Sequence, residues 1–242
     1  MKPLNYWTLR RISIIWLVGA LVLALVLYQP INLGIFRLYI AAAIPALWLG
    51  AGVLMWRIRW LAYTTWATAL LAGIILLLPG EAPNPAQLRA EYIKQLRDYE
   101  GTQYVWGGEN RRGIDCSGLV RRALIDSYFH LGITQANPRA LRSAIDLWWN
   151  DASAQALLNG YLDLTAPLAD ATSINEIEAP LQRGDLAVTT DCVHVLAYLG
   201  DQQWIEADPS DKQALIVHTP SDNIWFNKPV TLVRWNAMKA SE

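Results

Sequence analysis

Residues 102–124 read TQYVWGGENRRGIDCSGLVRRAL. The stretch carries Cys116, one of two cysteines in the 242-residue chain, at the start of a helical pattern. Asp115 supplies an N-cap, and Leu119, Val120, Ala123 and Leu124 recur at the spacing of one buried stripe. This predicts a helix from Cys116 to about Phe129, preceded by a short extended and turn segment at Tyr104–Gly108. A thiol at a helix N-terminus meets the positive end of the helix dipole, which favours thiolate and lowers its pKa. Position alone leaves two readings open: Cys116 is a small packed core residue or a nucleophile.

Outward from this helix the pattern divides. On the N-terminal side, Asn84-Pro85 opens a helix through Leu88, Tyr92, Ile93, Leu96 and Tyr99, stopped by Gly101. On the C-terminal side, Asn137-Pro138 opens another through Trp149, and a short helix is expected over Ala152–Leu158. Five runs rich in β-branched and aromatic residues follow: Asp185–Thr190, Val193–Leu199, Trp204–Ala207, Leu215–His218 and Val230–Trp235. Helices first and strands later predict an α+β domain, an antiparallel sheet packed on the cysteine-bearing helix.

A cysteine nucleophile needs a base within hydrogen-bond reach and a third group that orients the base. Of the three histidines, His130, His194 and His218, His194 lies in a strand pattern, sharing a face with Leu196 and Tyr198. A three-residue hairpin loop at Gly200-Asp201-Gln202 would set Leu196 opposite Glu206 and His194 opposite Asp208. Either carboxylate could then accept from the imidazole and favour a thiolate–imidazolium pair. Cys192, two residues before His194, shares its strand face unless a bulge intervenes, so a reversible Cys116–Cys192 disulfide stays open as an expectation.

The quoted stretch resembles the signature of the NlpC-type cell-wall cysteine peptidases, a papain-like family, in its Tyr-x-Trp-Gly-Gly and Asp-Cys-Ser-Gly-Leu-Val elements. RGDLAV (183–188) and HVLAYLG (194–200) resemble the family's Gly-Asp-Leu turn and histidine strand. The resemblance covers roughly 88–207 and implies Cys116 as nucleophile and His194 as base. Glu206 occupies the third position, where the family more often has His and sometimes Asn or Gln; Asp208 is held in reserve. Tyr104 matches a tyrosine that lines the family's site, and Asp115 and Ser117 match residues that grip the free amino terminus of a substrate peptide. Cys116 and His194 lie 78 positions apart, longer than is usual for the family. The excess is assigned to 131–182, whose Leu162–Glu178 stretch reads as an acidic loop, a lid or cleft wall or else plain elaboration.

The first 80 residues have a different composition. They contain six basic residues and no Asp or Glu, whereas 81–242 carries 14 basic and 21 acidic residues. Ile12–Tyr28, Leu38–Trp56 and Leu61–Leu78 are uncharged apolar runs of 17, 19 and 18 residues, close to the ~20 that span a bilayer core. The expected organisation is a three-span transmembrane region at 1–81, bound to the lipid bilayer through 12–78, and a peptidase domain at 82–242. Lys2, Arg10 and Arg11 precede the first span, Arg57 and Arg59 separate the second and third, and Arg37 marks the loop between the first two. The positive-inside rule then puts the N-terminus in the cytoplasm and 82–242 on the periplasmic or extracellular side of the cytoplasmic membrane.

The acidic domain excludes a non-specific nucleic-acid partner. No metal-ligand spacing is present, and no cofactor is expected. The resemblance implies hydrolysis of peptidoglycan stem peptides at the bond between the γ-carboxyl of D-glutamate and a diamino acid. Two other classes remain: a papain-like acyltransferase or amidase on a lipid-linked substrate, and a non-catalytic module that binds stem peptides.

Overall fold

The computed structural model describes residues 6–239; Lys2 lies outside them. The chain divides into two compact units, Met1–Pro79 and Gly80–Glu242.

The first unit is built from α1 (Tyr6–Tyr28), α2 (Gly34–Leu54) and α3 (Arg59–Leu77). All three are long and apolar enough to cross a membrane. Their side chains point mostly outward: the apolar windows of α1, α2 and α3 are 0%, 22% and 6% buried. A water-soluble bundle would bury such a surface, whereas lipid is a good solvent for it. Polar atoms tie neighbouring helices together. Trp16 Nε1 donates to the Leu47 carbonyl at 2.8 Å, Tyr39 to Gly19 at 3.0 Å, and Trp66 Nε1 to Leu49 at 3.2 Å. Arg37 is not in the α1–α2 link as expected; it sits in the first turn of α2 and is buried. The link itself, residues 29–33, carries no charge.

The second unit begins with α4 (Pro85–Arg97), capped by Asn84 Oδ1 accepting from the amides of Ala86 and Gln87. A two-stranded ribbon, β1 (Glu109–Asn110) and β2 (Gly113–Ile114), leads into α5 (Cys116–Thr134). α5 runs a turn beyond the expected end. Tyr128, Leu131 and Gly132 are buried, and Leu141 of the next helix packs close against Gly132. α6 (Pro138–Trp149) and α7 (Ala154–Leu158) follow at the expected places.

Six strands form one antiparallel sheet: β3 (Thr165–Ala171), β4 (Leu186–Thr189), β5 (Val195–Gly200), β6 (Gln203–Asp208), β7 (Gln213–His218) and β8 (Val230–Trp235), in the order β3-β8-β4-β5-β6-β7. Odd positions of β5 and β6, Val195, Ala197, Ile205 and Ala207, join the core with Leu119, Val120 and Ala123 of α5. Even positions, Leu196 and Trp204, lie in a second cluster with Trp225, Phe226 and Leu232. The first half of β7 has a covered outer edge: Gly101 N donates to Ala214 O, Ala214 N to Thr102 O, and Tyr104 N to Lys212 O, at 2.7–2.8 Å.

The fold is the α+β arrangement expected, and all five expected strands are present. The sixth, β3, falls in the stretch read as an acidic loop. It pairs with β8 at the sheet edge, with two strands between it and β5, so the insertion extends the sheet here rather than forming a lid. The β5–β6 turn also differs. Asp201 and Gln202, both at positive φ, make a two-residue turn, with Gly200 paired to Gln203 and a register shift at Leu199. Two residues at positive φ match the right-handed twist of the strands they join. The shift restores the expected register, Tyr198 opposite Trp204 and Ala197 opposite Ile205.

Candidate active site

The N-terminus of α5 is fixed from its own side. Asp115 Oδ1 accepts from Gly118 N at 2.6 Å and from the Ser117 hydroxyl at 3.0 Å, and Oδ2 accepts from Gly107 N at 2.8 Å. One carboxylate thus caps the helix and ties the preceding turn to it. Gly107 holds that turn at φ 73°, in the region that favours glycine. Gly118 must be glycine because a Cβ there would lie 2.1 Å from the Gly108 carbonyl oxygen. The two glycine-containing halves of the quoted stretch are therefore one packed unit with Cys116 at its apex.

Cys116 is 6% exposed, and its Sγ lies 3.8 Å from the Val193 carbonyl, to which the thiol donates. The backbone N–H groups of Cys116, Ser117 and Val195 all act on this sulfur. The thiol thus packs against the backbone that flanks His194. Burial pushes its pKa up to about 12, the Asp115 charge adds to the rise, and the three N–H groups only partly offset it. The helix-dipole expectation of a lowered pKa fails here because desolvation of the anion outweighs the dipole.

His194 N donates to Thr189 Oγ1 at 3.0 Å, which anchors the backbone just before β5. Its Nε2 lies 2.6 Å from Glu206 Oε2, and Glu206 is fully buried at 0% exposure. Burial raises the Glu206 pKa, while the imidazole bond pulls it back down. With Nε2 engaged, Nδ1 is the ring nitrogen left for a thiol. Asp208, the reserve carboxylate, takes other partners: Ser210 N at 2.6 Å, Asn223 Nδ2 at 3.0 Å and Trp225 Nε1 at 3.3 Å.

Tyr104 is half-buried, and the charges of Cys116, Asp115 and Asp208 all raise its pKa beyond the rise from burial. Its backbone bridges to Ile114, two residues before Cys116. The structure thus gathers Tyr104, Asp115, Cys116 and Ser117 at one end of α5, and joins His194 to Glu206. His194 lies just before β5 rather than within the strand as expected, and Cys192 shares no strand face with it. Cys192 lies in the β4–β5 turn at φ 60°, its thiol donating to Thr190 O at 3.8 Å, and both cysteines are free. His130 and His218 stand exposed elsewhere. Among the described residues, no group of three or more His, Cys, Asp or Glu side chains is arranged to hold a metal ion.

Two residues that the sequence reading missed complete the pair's surroundings. The Trp225 ring stacks on His194 at 4.1 Å with planes 18° apart. Asn223 Nδ2 lies 3.0 Å from Glu206 Oε1 as well as from Asp208. Both come from the turn before β8, and nothing in the local pattern signals them.

Comparison with known proteins finds a family match within the second unit. The family model described as NlpC/P60 matches residues 101–234. A Haemophilus influenzae protein described as a probable endopeptidase is 39% identical over 49 residues, 20% of this chain and 30% of that protein. The chain thus spans under a third of that curated relative. An NlpC/P60 family protein from Bacillus cereus is similar at 19% identity, covering 64% of this chain and 42% of its own, with a TM-score of 0.43. The peptidoglycan hydrolase RipB from Mycobacterium tuberculosis is similar at 21% identity, covering 65% and 69%, with a TM-score of 0.39.

Proposed function

The chain belongs to the NlpC/P60 family, and from that premise we propose that it is a membrane-anchored cysteine peptidase cleaving peptidoglycan stem peptides outside the cytoplasm. The observation that carries this reading is the buried 2.6 Å His194–Glu206 pair set beside a thiol that packs on the Val193 carbonyl. The described probable endopeptidase supports the same class.

In this reading Cys116 begins as a thiol, because burial pushes its pKa up. Nδ1 of His194 takes the Sγ proton as sulfur bonds to the scissile carbonyl carbon. Glu206 keeps the proton on Nε2 and steadies the imidazolium that forms. The amides at the start of α5 face the developing oxyanion, with the Tyr104 hydroxyl beside them; one such donor contributes about 3–4 kcal/mol. The imidazolium protonates the leaving amine as the C–N bond breaks, and water then releases the acyl group from sulfur. Asp115 and Ser117 receive the substrate's free amino terminus, and the bond cut is that between γ-D-glutamate and the diamino acid.

The helices α1, α2 and α3 are the anchor, with 82–242 as the peptidase domain. The uncharged 29–33 link against Arg57 and Arg59 around the second link supports the outward orientation. Protease accessibility of the C-terminal domain in spheroplasts tests that side.

The direct test is digestion of purified peptidoglycan by the full chain in detergent, with fragments read by mass spectrometry beside Cys116→Ala. Fragments that begin with the diamino acid, lost in the variant, are expected. An intact wall after treatment with folded wild type, its Cys116 titrating as reduced, would sink the reading. Acyl-transfer products from a lipid-linked substrate would move the chain to the acyltransferase class.

A further inference from the structure

The His194–Glu206 pair is enclosed by the turn at Ile224–Asn227 and its cap Asn223. The Asn223 amide carries two hydrogens, and two buried carboxylates lie 3.0 Å from its nitrogen: Oε1 of Glu206 and Oδ2 of Asp208. Glu206 has its other oxygen on His194, and Asp208 has its other oxygen on Trp225 Nε1 and Ser210 N. The Asn223 carbonyl oxygen accepts from Trp225 N at 2.9 Å, which places the indole flat on the imidazole. Lys228 Nζ lies over the same indole, 4.9 Å from the ring centroid, and 2.7 Å from Asp191.

We propose that Asn223 and Trp225 are positioning residues of the site. Asn223 aims Glu206 at His194 by dividing its two hydrogens between the paired carboxylates, and Trp225 fixes the plane of the imidazole. The inference rests on the reading of Cys116, His194 and Glu206 given above. Without a donor between them, Glu206 and Asp208 would face each other as unscreened like charges. The groups that face Glu206 are His194 just before β5, Asp208 on β6, Asp211 in the following turn, and Asn223. Of these, His194 and Asn223 are the hydrogen-bonding partners of its carboxylate. A neutral donor at 223 permits an ionised Glu206 in a site that burial otherwise disfavours.

Asn223→Asp isolates this role. It is isosteric and retains the oxygen that caps Trp225 N, but it exchanges the shared donor for a third carboxylate. The full chain in detergent is assayed two ways across pH 4–9: kcat and KM on soluble stem peptides, and the rate of Cys116 alkylation by iodoacetamide. The acid limb of both profiles is expected to move up by about one pH unit, since a like charge keeps Glu206 protonated to higher pH. KM is expected to change little. Trp225→Ala is expected to lower kcat about tenfold through lost orientation, and Trp225→Phe to restore most of that loss.

A folded Asn223→Asp chain whose acid limbs superimpose on wild type overturns the proposal for Asn223. Equal kcat in Trp225→Ala and Trp225→Phe overturns it for Trp225, and decides the matter if Asn223→Asp does not fold by circular dichroism. If wild type leaves stem peptides intact, the alkylation profile still reads the coupling. A shifted alkylation limb then upholds the positioning role while the peptidase reading fails.

Discussion

Replacing Glu206 by Gln separates what the carboxylate does for activity from what it does for stability. Two donors converge on it, His194 Nε2 and Asn223 Nδ2, at 2.6 and 3.0 Å. A carboxylate accepts both. A glutamine has one acceptor oxygen, so one of two faults must follow. With its oxygen on His194, its NH2 meets the Asn223 NH2 and two buried donors oppose each other. With its oxygen on Asn223, its NH2 requires Nε2 to accept, which moves the ring proton to Nδ1, the nitrogen that must take the thiol's proton. A hydrogen bond to a charged group contributes about 1.5–3 kcal/mol. At about 1.4 kcal/mol per decade, kcat/KM is expected to fall by about tenfold to about 150-fold. Stability has the opposite sign. Burial raises the Glu206 pKa, so the ionised form is favoured less in the folded than in the unfolded chain. That group's contribution is fully present at low pH and is lost as pH rises through its folded pKa. A neutral isostere is therefore expected to melt at or above the wild-type temperature at pH 8. Stem-peptide kinetics and thermal melts on the same preparations read both effects. Activity within twofold of wild type, or lost activity with an equally collapsed melting temperature, refutes the reasoning.

Three further outcomes are expected. In His194→Ala, alkylation of Cys116 should climb steadily with pH toward about 12, because burial holds the thiol protonated; a plateau below pH 8 would contradict the assignment. Arg121, buried on α5, is paired with Glu109 at 2.5 Å and with Asp151. Arg121→Ala leaves the Glu109 carboxylate buried without this partner and should cost about 3–5 kcal/mol by urea denaturation, and a loss under 1 kcal/mol would show that the site relaxes. Gly118→Ala drives a Cβ into the Gly108 carbonyl and should destabilise by about 1–3 kcal/mol, with Cys116 alkylation altered at every pH; unchanged alkylation would mean that the turn moves away freely.

Much of this was legible because it is local. Asn84, Asp115 and Asn137 cap α4, α5 and α6 as their side chains and spacing demand. The β5–β6 register was legible although the turn was not. The alternation of apolar residues fixed which positions face α5, and the Leu199 shift absorbs the shorter turn. β3 was not legible: Thr-Ala-Pro-Leu-Ala-Asp-Ala has weak strand character and becomes a strand through its partner β8. The direction of the thiol's pKa shift is not legible, because helix position is visible in a sequence and desolvation is not. Asn223 and Trp225 escaped for a related reason. They reach Glu206, Asp208 and His194 from a turn beyond β7, and no periodicity links positions so placed.

The two outer strands of the sheet have a consequence for how copies of this chain coexist. An open strand edge offers unpaired amides and carbonyls to any other extended chain, and such edges seed aggregation. β3 answers this with Pro167, which has no amide to offer, and with a register shift between Pro167 and Ala169 that bends the strand. At the opposite side, residues 101–104 already occupy the first half of β7. The segment that carries Tyr104 therefore also closes the sheet against strand exchange, and loosening it would be felt as self-association.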